Sequence, residues 1–163
     1  MFSVWRITSR KFIKSAFSGE GARRFGGRWN LPGIPLIYAA ESKSLAVLEI
    51  LVHLDSPEIL QKYVLFEVKV ENAWVTHLDP GSLPHDWRDD PPPMDTQKIG
   101  NDWAKSAPSA ILRVPSAIVS GEFNFLLNPR HPDFRRLKIG QPQSFFLDPR
   151  LLRHQETSGK KSR

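Results

Sequence analysis

Apolar and polar positions change their spacing several times along this chain of 163 residues. Over residues 2–7 they alternate, with Val4 and Arg6 on one face and Trp5 and Ile7 on the other, which predicts a first strand. Residues 11–27 have no apolar period and close on Gly26-Gly27, which predicts a loop. Leu36-Ile37-Tyr38-Ala39-Ala40 is a short apolar run between Pro32, Gly33 and Pro35 on one side and Glu41-Ser42-Lys43-Ser44 on the other, the mark of a short buried strand. From residue 44 to 54 the chain is apolar nearly all round, long for a strand and rich in helix formers, with Ser42 placed as N-cap; this predicts a buried helix. Residues 64–70 alternate again, Glu67 and Lys69 falling between Phe66, Val68 and Val70, as in a half-exposed strand.

Beyond that point proline organises the chain. With Pro80, Pro84 and the run Pro91-Pro92-Pro93, no regular element should span residues 79–95, so a long surface loop within the same domain is expected there. A short helix carrying Trp103 is predicted over 100–106. A strand over 110–119 is interrupted at Pro115, which confines that point to an edge or bulge. Residues 123–127 and 144–147 are further short strands. No internal repeat is visible. Several short strands with few helices favour an α+β fold, a single domain of mixed short-strand sheets, over a doubly wound sheet, which needs regular alternation of strand and helix.

Composition narrows the class. Hydrophobic residues at 40% and charged residues at 25% are those of a globular protein, and no apolar run approaches the roughly 20 residues of a membrane helix. The N-terminus lacks a basic segment followed by an apolar one, so no secretory signal is expected. The absence of cysteine excludes a disulfide framework and thiolate chemistry and fits a cytoplasmic protein. Half of the formal net charge of +6 lies in residues 153–163 (Arg153, Lys160, Lys161 and Arg163 against Glu156). The body is therefore only mildly basic, and residues 153–163 read as a basic, disordered tail and a weak argument for nucleic-acid binding.

Several chemistries drop out. Gly19-Glu20-Gly21-Ala22-Arg23-Arg24 has the first two glycines of a dinucleotide fingerprint but Arg24 at the third, and no confident strand precedes it. The histidines at 53, 77, 85, 131 and 154 lack the paired spacings of a zinc site, so no metal is expected. Neither a nucleophile elbow nor a phosphate loop occurs. Three residues remain. Glu49, a carboxylate within an apolar run, either marks the solvent side of its helix or faces a polar cleft. Arg28 follows two glycines that permit close backbone approach, and its planar fork suits a pyrophosphate; the alternative is a structural ion pair, with Glu49 itself as one partner. Tyr38, on an apolar strand, reads as core with its hydroxyl satisfied unless it serves a ligand.

Taken in order, Gly26-Gly27-Arg28-Trp29-Asn30, Ile37-Tyr38-Ala39-Ala40-Glu41-Ser42, Leu45-Ala46-Val47-Leu48-Glu49 and Val52-His53-Leu54 resemble the signature of the RES-domain family. So do Val114-Pro115-Ser116-Ala117-Ile118-Val119 and Glu122-Phe123-Asn124-Phe125-Leu126-Leu127-Asn128-Pro129. The family's arginine, glutamate and serine fall here on Arg28, Glu49 and Ser116. The resemblance covers about residues 2–150 and divides the chain into a RES domain at 1–152 and the tail at 153–163. It implies a fold like that of the ADP-ribosyltransferases and a toxin of bacterial type II toxin–antitoxin systems, paired with an Xre-like antitoxin. It further implies a cytoplasmic NAD+ glycohydrolase or NAD+ phosphorylase, or alternatively an ADP-ribosyltransferase acting on a protein. NAD+ would be substrate, with no separate cofactor; DNA would be met only through the antitoxin, with no membrane partner, and the resemblance implies a homodimer or a larger complex with the antitoxin.

Under that resemblance Glu49 would bind the hydroxyls of the nicotinamide ribose and stabilise positive charge on the sugar, while Arg28 and Arg6 would hold the diphosphate. Tyr38 would stack on nicotinamide, and the Ser116 hydroxyl would orient the ribose or the amide. Trp29, Asn124 and Asn128 read as structural, with Asn128-Pro129 in a turn.

Overall fold

Alternating burial lays the strands into one eight-stranded mixed sheet. The computed structural model of the protein describes residues 1–53, 62–145, 148 and 151; the basic tail lies outside them, as do 146–147 of the strand expected at 144–147. The strands are β1 (Phe2–Ser9), β2 (Ile37–Ala40), β3 (Tyr63–Val70), β4 (Val75–His77), β5 (Ile111–Pro115), β6 (Phe123–Leu127), β7 (Lys138–Ile139) and β8 (Gln143–Ser144). Their order is β4-β5-β6-β2-β1-β3-β7, with β8 also on β3. Among the described residues only the β4–β5 pairing is parallel. The helices are α1 (Glu20–Phe25), α2 (Lys43–Leu51) and α3 (Met94–Ser106).

Neighbouring residues of a strand point to opposite faces, and here both faces are covered. One face carries Val4, Ile37, Ala39, Val68, Ile111, Phe125 and Leu127 in the main core, with Phe2 against Phe125. The other carries Tyr38, Leu112, Val114 and Leu126, packed under Trp29, Leu36 and Trp103. Further along this second face α2 sets Leu45 and Ala46 on Ala40, Trp5 and Ile7. Between these two covers lies the candidate site.

Four expectations change. Residues 11–27 are not simply a loop: a 3-10 turn at Arg10–Ser15 is followed by α1, where Glu20 pairs with Arg23 and Arg24 at helical spacing. The α2 helix does begin with the Ser42 hydroxyl accepting from Leu45 N at 3.0 Å, but it is not buried all round. Only Leu45 and Ala46 are buried, and Val52 just beyond it is 58% exposed, because a helix lying on a sheet hides one stripe; Leu54 is outside the described residues. The α3 helix starts six positions before the predicted one. Gly100 disguised it as a breaker, yet Gly100 sits there because a Cβ would fall 2.0 Å from the Trp29 carbonyl oxygen. Pro115 ends β5 opposite Phe123 instead of interrupting a longer strand.

Candidate active site

A cavity of about 840 Å³ opens on the second face of the sheet. Its floor is Trp5, Ile7, Tyr38, Ala40 and Asn124 from three adjacent strands, with register pairs Trp5↔Ala40 and Ala40↔Asn124. One wall is α2 with Glu49; another is the Gly26–Arg28 turn; the proline-rich segment adds Arg88, Asp90 and Pro92. Volumes of this order suit a small molecule of cofactor size.

Glu49 follows Leu45 by four positions and Ala46 by three, so it lies on the stripe that faces the sheet. That decides between its two readings: it lines the cavity. Its Oε1 accepts from Ser116 Oγ at 3.0 Å and from Asn124 Nδ2. Oε2 has no hydrogen bond among the described residues and is not buried, so it remains open to a ligand. Ser116 itself is 1% exposed. Its hydroxyl also accepts from the amides of Ile118 and Val119, both at 3.1 Å. With its proton on Glu49 and its lone pairs on two backbone amides, Ser116 touches the cavity through Glu49.

The opposite wall is built by the backbone. Asn30 is fully buried. Its Nδ2 donates to the carbonyls of Ala22, Leu31 and Ile34, and its Oδ1 accepts from the Tyr38 hydroxyl at 2.7 Å. Trp29 N donates to that hydroxyl at 3.2 Å, and Gln97 Nε2 donates to the Gly27 carbonyl at 2.9 Å. Gly27 permits this closeness, since a Cβ would lie 2.6 Å from the Tyr38 oxygen. Burial raises the Tyr38 pKa above the ordinary phenol value. The hydroxyl is thus committed to the loop, and the ring is what Tyr38 presents to the cavity.

Arg28 lines the cavity but is not paired with Glu49. Its Nη1 donates to the carbonyls of Trp87 and Asp89 at 2.7 and 2.9 Å, and it has no ion pair among the described residues. Arg6 also lines the cavity. β1 and β2 pair only at Trp5↔Ala40, and Arg6 fills the divergence beyond, Nε donating to Ala16 O and Nη1 to Tyr38 O, each at 2.8 Å. Burial lowers its pKa to about 10, which leaves it cationic at neutral pH. All five sequence-derived residues therefore belong to one assembly, four on the cavity wall and Ser116 behind Glu49. Asn124, read as structural, holds Glu49 from the cavity floor, and a polar residue inside the apolar strand 123–127 was its signal. Gln97 and Arg88 carried no signal of their own.

The site is thus a cavity on a mixed sheet, lined by Glu49 and three arginines, Arg6, Arg28 and Arg88, and comparison with known proteins gives its family. The chain belongs to the RES-domain family, whose family model matches residues 3–148. The protein "Toxin Res" of Yersinia enterocolitica is 44% identical over 149 residues, 91% of this chain and 98% of that protein. The "Prs ADP-ribosylating toxin" of a Sphingobium species is 38% identical over 156 residues, 93% of this chain and 97% of that one. Among solved structures, the MbcT–MbcA toxin–antitoxin complex of Mycobacterium tuberculosis matches with a TM-score of 0.70 and 27% identity, over 93% of this chain and 87% of that chain. MbcT, described as an NAD(+) phosphorylase, is 55% identical over 50 residues, 28% of this chain and 27% of that protein.

Proposed function

We propose that this protein is an NAD+-degrading toxin of a type II toxin–antitoxin system, cleaving the nicotinamide–ribose bond with water or phosphate as acceptor. The observation that carries the reading is Glu49: a carboxylate fixed through Oε1, with Oε2 open to a cavity whose other walls hold Arg6, Arg28 and Tyr38. Nicotinamide leaves NAD+ as a neutral molecule, so the enzyme needs no general acid. Its task is to stabilise positive charge developing on the sugar and to position the acceptor. Glu49 Oε2 binds the nicotinamide ribose and faces that charge. Ser116 and Asn124 act as positioning residues, holding the carboxylate so that no reorganisation accompanies bond cleavage. Tyr38 offers its ring to nicotinamide, and the free nitrogens of Arg28 and Arg6 take the diphosphate.

NAD+ is substrate, and no further cofactor or metal is invoked. The antitoxin is of Xre-like type and carries the DNA contact; the toxin acts in the bacterial cytoplasm, assembled as a homodimer or with its antitoxin. The name of the Sphingobium relative supports a second reading, transfer of ADP-ribose to a protein. Incubation of purified protein with NAD+, with and without phosphate, followed by chromatography, separates the cases. Free ADP-ribose marks hydrolysis, ADP-ribose 1″-phosphate marks phosphorolysis, and label retained on an added protein marks transfer. NAD+ intact under every condition would overturn the proposal.

A further inference from the structure

Three arginines line the cavity, and they differ in how much of each guanidinium is already taken. Arg6 commits Nε and Nη1 to carbonyls and keeps Nη2. Arg28 commits Nη1 and keeps Nε and Nη2. Arg88 makes neither a hydrogen bond nor an ion pair among the described residues, so all its nitrogens are available; its guanidinium carbon lies 4.8 Å from the centroid of the Trp87 ring. Trp87 packs in turn on Trp29, with ring centroids 5.8 Å apart, and Trp29 is buried. An exposed arginine is thereby seated on an aromatic column rooted in the core, which restricts the side chain without using a donor.

Arg28 contributes to the same arrangement. The carbonyls it holds belong to Trp87 and Asp89, the residues on either side of Arg88. Arg28 therefore clamps the peptide that presents Arg88, and two guanidinium groups without carboxylate partners are brought to one wall. Asp90 also lines the cavity but is ion-paired with neither. Neither guanidinium has an anionic partner among the described residues, and a planar fork with every donor open matches a diphosphate.

We propose that Arg88 is the principal diphosphate-binding residue of the site, with Arg28 acting partly as the positioning residue that fixes the segment carrying it. This rests on NAD+ being the substrate. The test compares wild type, Arg88→Ala and Arg88→Lys in NAD+ consumption, with inhibition by ADP-ribose, which carries the diphosphate, and by nicotinamide, which does not. Loss of a charge-assisted hydrogen-bond pair should raise KM for NAD+ and the ADP-ribose inhibition constant by about tenfold or more in Arg88→Ala. kcat and nicotinamide inhibition should stay near wild type. Arg88→Lys, which keeps charge but not the fork, should fall between. An unchanged ADP-ribose constant in Arg88→Ala, or equal weakening of ADP-ribose and nicotinamide, would overturn this assignment while wild-type turnover upheld the proposed function. A wild type that neither consumes NAD+ nor binds ADP-ribose would instead overturn the function and, with it, the assignment.

Discussion

The two ends of the cavity are held by opposite means. At the Glu49 end an acceptor is fixed by side-chain donors, Ser116 Oγ and Asn124 Nδ2, reaching one carboxylate oxygen from distant segments. At the Arg28 end a donor is fixed by backbone carbonyls of a proline-rich segment, and the turn beneath it is tied by Asn30, Gln97 and the Tyr38 hydroxyl. In each case the charged group keeps part of its hydrogen-bonding capacity for a ligand. The first end is built for fixed position at a reacting centre; the second shapes and charges a binding wall. Changes at the first should therefore lower kcat, and changes at the second should act on KM and on stability.

The sharpest break is Glu49→Gln. A glutamine oxygen can still accept from Ser116 and Asn124, so the fold should survive while the charge facing the sugar is lost. A fall of about a hundredfold or more in kcat is expected, with KM little changed, the scale for removing preorganised transition-state electrostatics. Steady-state NAD+ consumption checks it, and retention of a tenth of wild-type kcat would refute the division between the two ends.

A smaller effect sets the ends against each other within stability. Ser116→Ala leaves the amides of Ile118 and Val119 without their acceptor and should cost about 1–3 kcal/mol in denaturant unfolding, together with a drop in kcat. Gly27→Ala pushes a methyl against the Tyr38 oxygen and should cost a comparable amount, about 1–3 kcal/mol. Adding Tyr38→Phe should relieve part of the Gly27→Ala penalty and none of the Ser116→Ala penalty. Strict additivity in both double variants would remove the proposed contact between Gly27 and Tyr38.

The smallest effect is pH-dependent. Burial raises the folded-state pKa of Tyr38, so its contribution is fully present below the unfolded value of 10.0 and is lost as pH rises toward the folded value. Above pH 10 the wild type should therefore lose stability faster than Tyr38→Phe, by up to about 1.4 kcal/mol per pH unit. Arg6, whose lowered pKa acts in the opposite sense, is common to both proteins and cancels in the difference. Parallel stability curves between pH 10 and 11 would contradict it.

Strands β1, β2, β3 and β6 and the capped start of α2 were legible because alternation, apolar runs and a serine before a helix are local signals. α1 was hidden by its lack of an apolar stripe, and the first six residues of α3 by Gly100, a residue required by a contact with Trp29 from elsewhere in the chain. Arg28, Tyr38, Glu49 and Ser116 were legible as a set through resemblance, but their partners were not. The Arg28 bonds end on carbonyls of Trp87 and Asp89, and every residue has a carbonyl, so no residue type announces such a site.

The sequence by itself determined the strands β1, β2, β3 and β6, that the fold mixes short strands with few helices, and which charged residues stand where apolar ones are expected; the short strands β4 and β7 carried no such signal. Only the tertiary structure decided that Glu49 turns inward to the cavity, that Ser116 lies behind it, and that Arg88 shares a wall with Arg28. The reason is range. Propensity and periodicity act over a few residues, whereas the bonds that assemble this cavity join groups 67, 75 and 59 positions apart, and they form only once the sheet has brought those segments together.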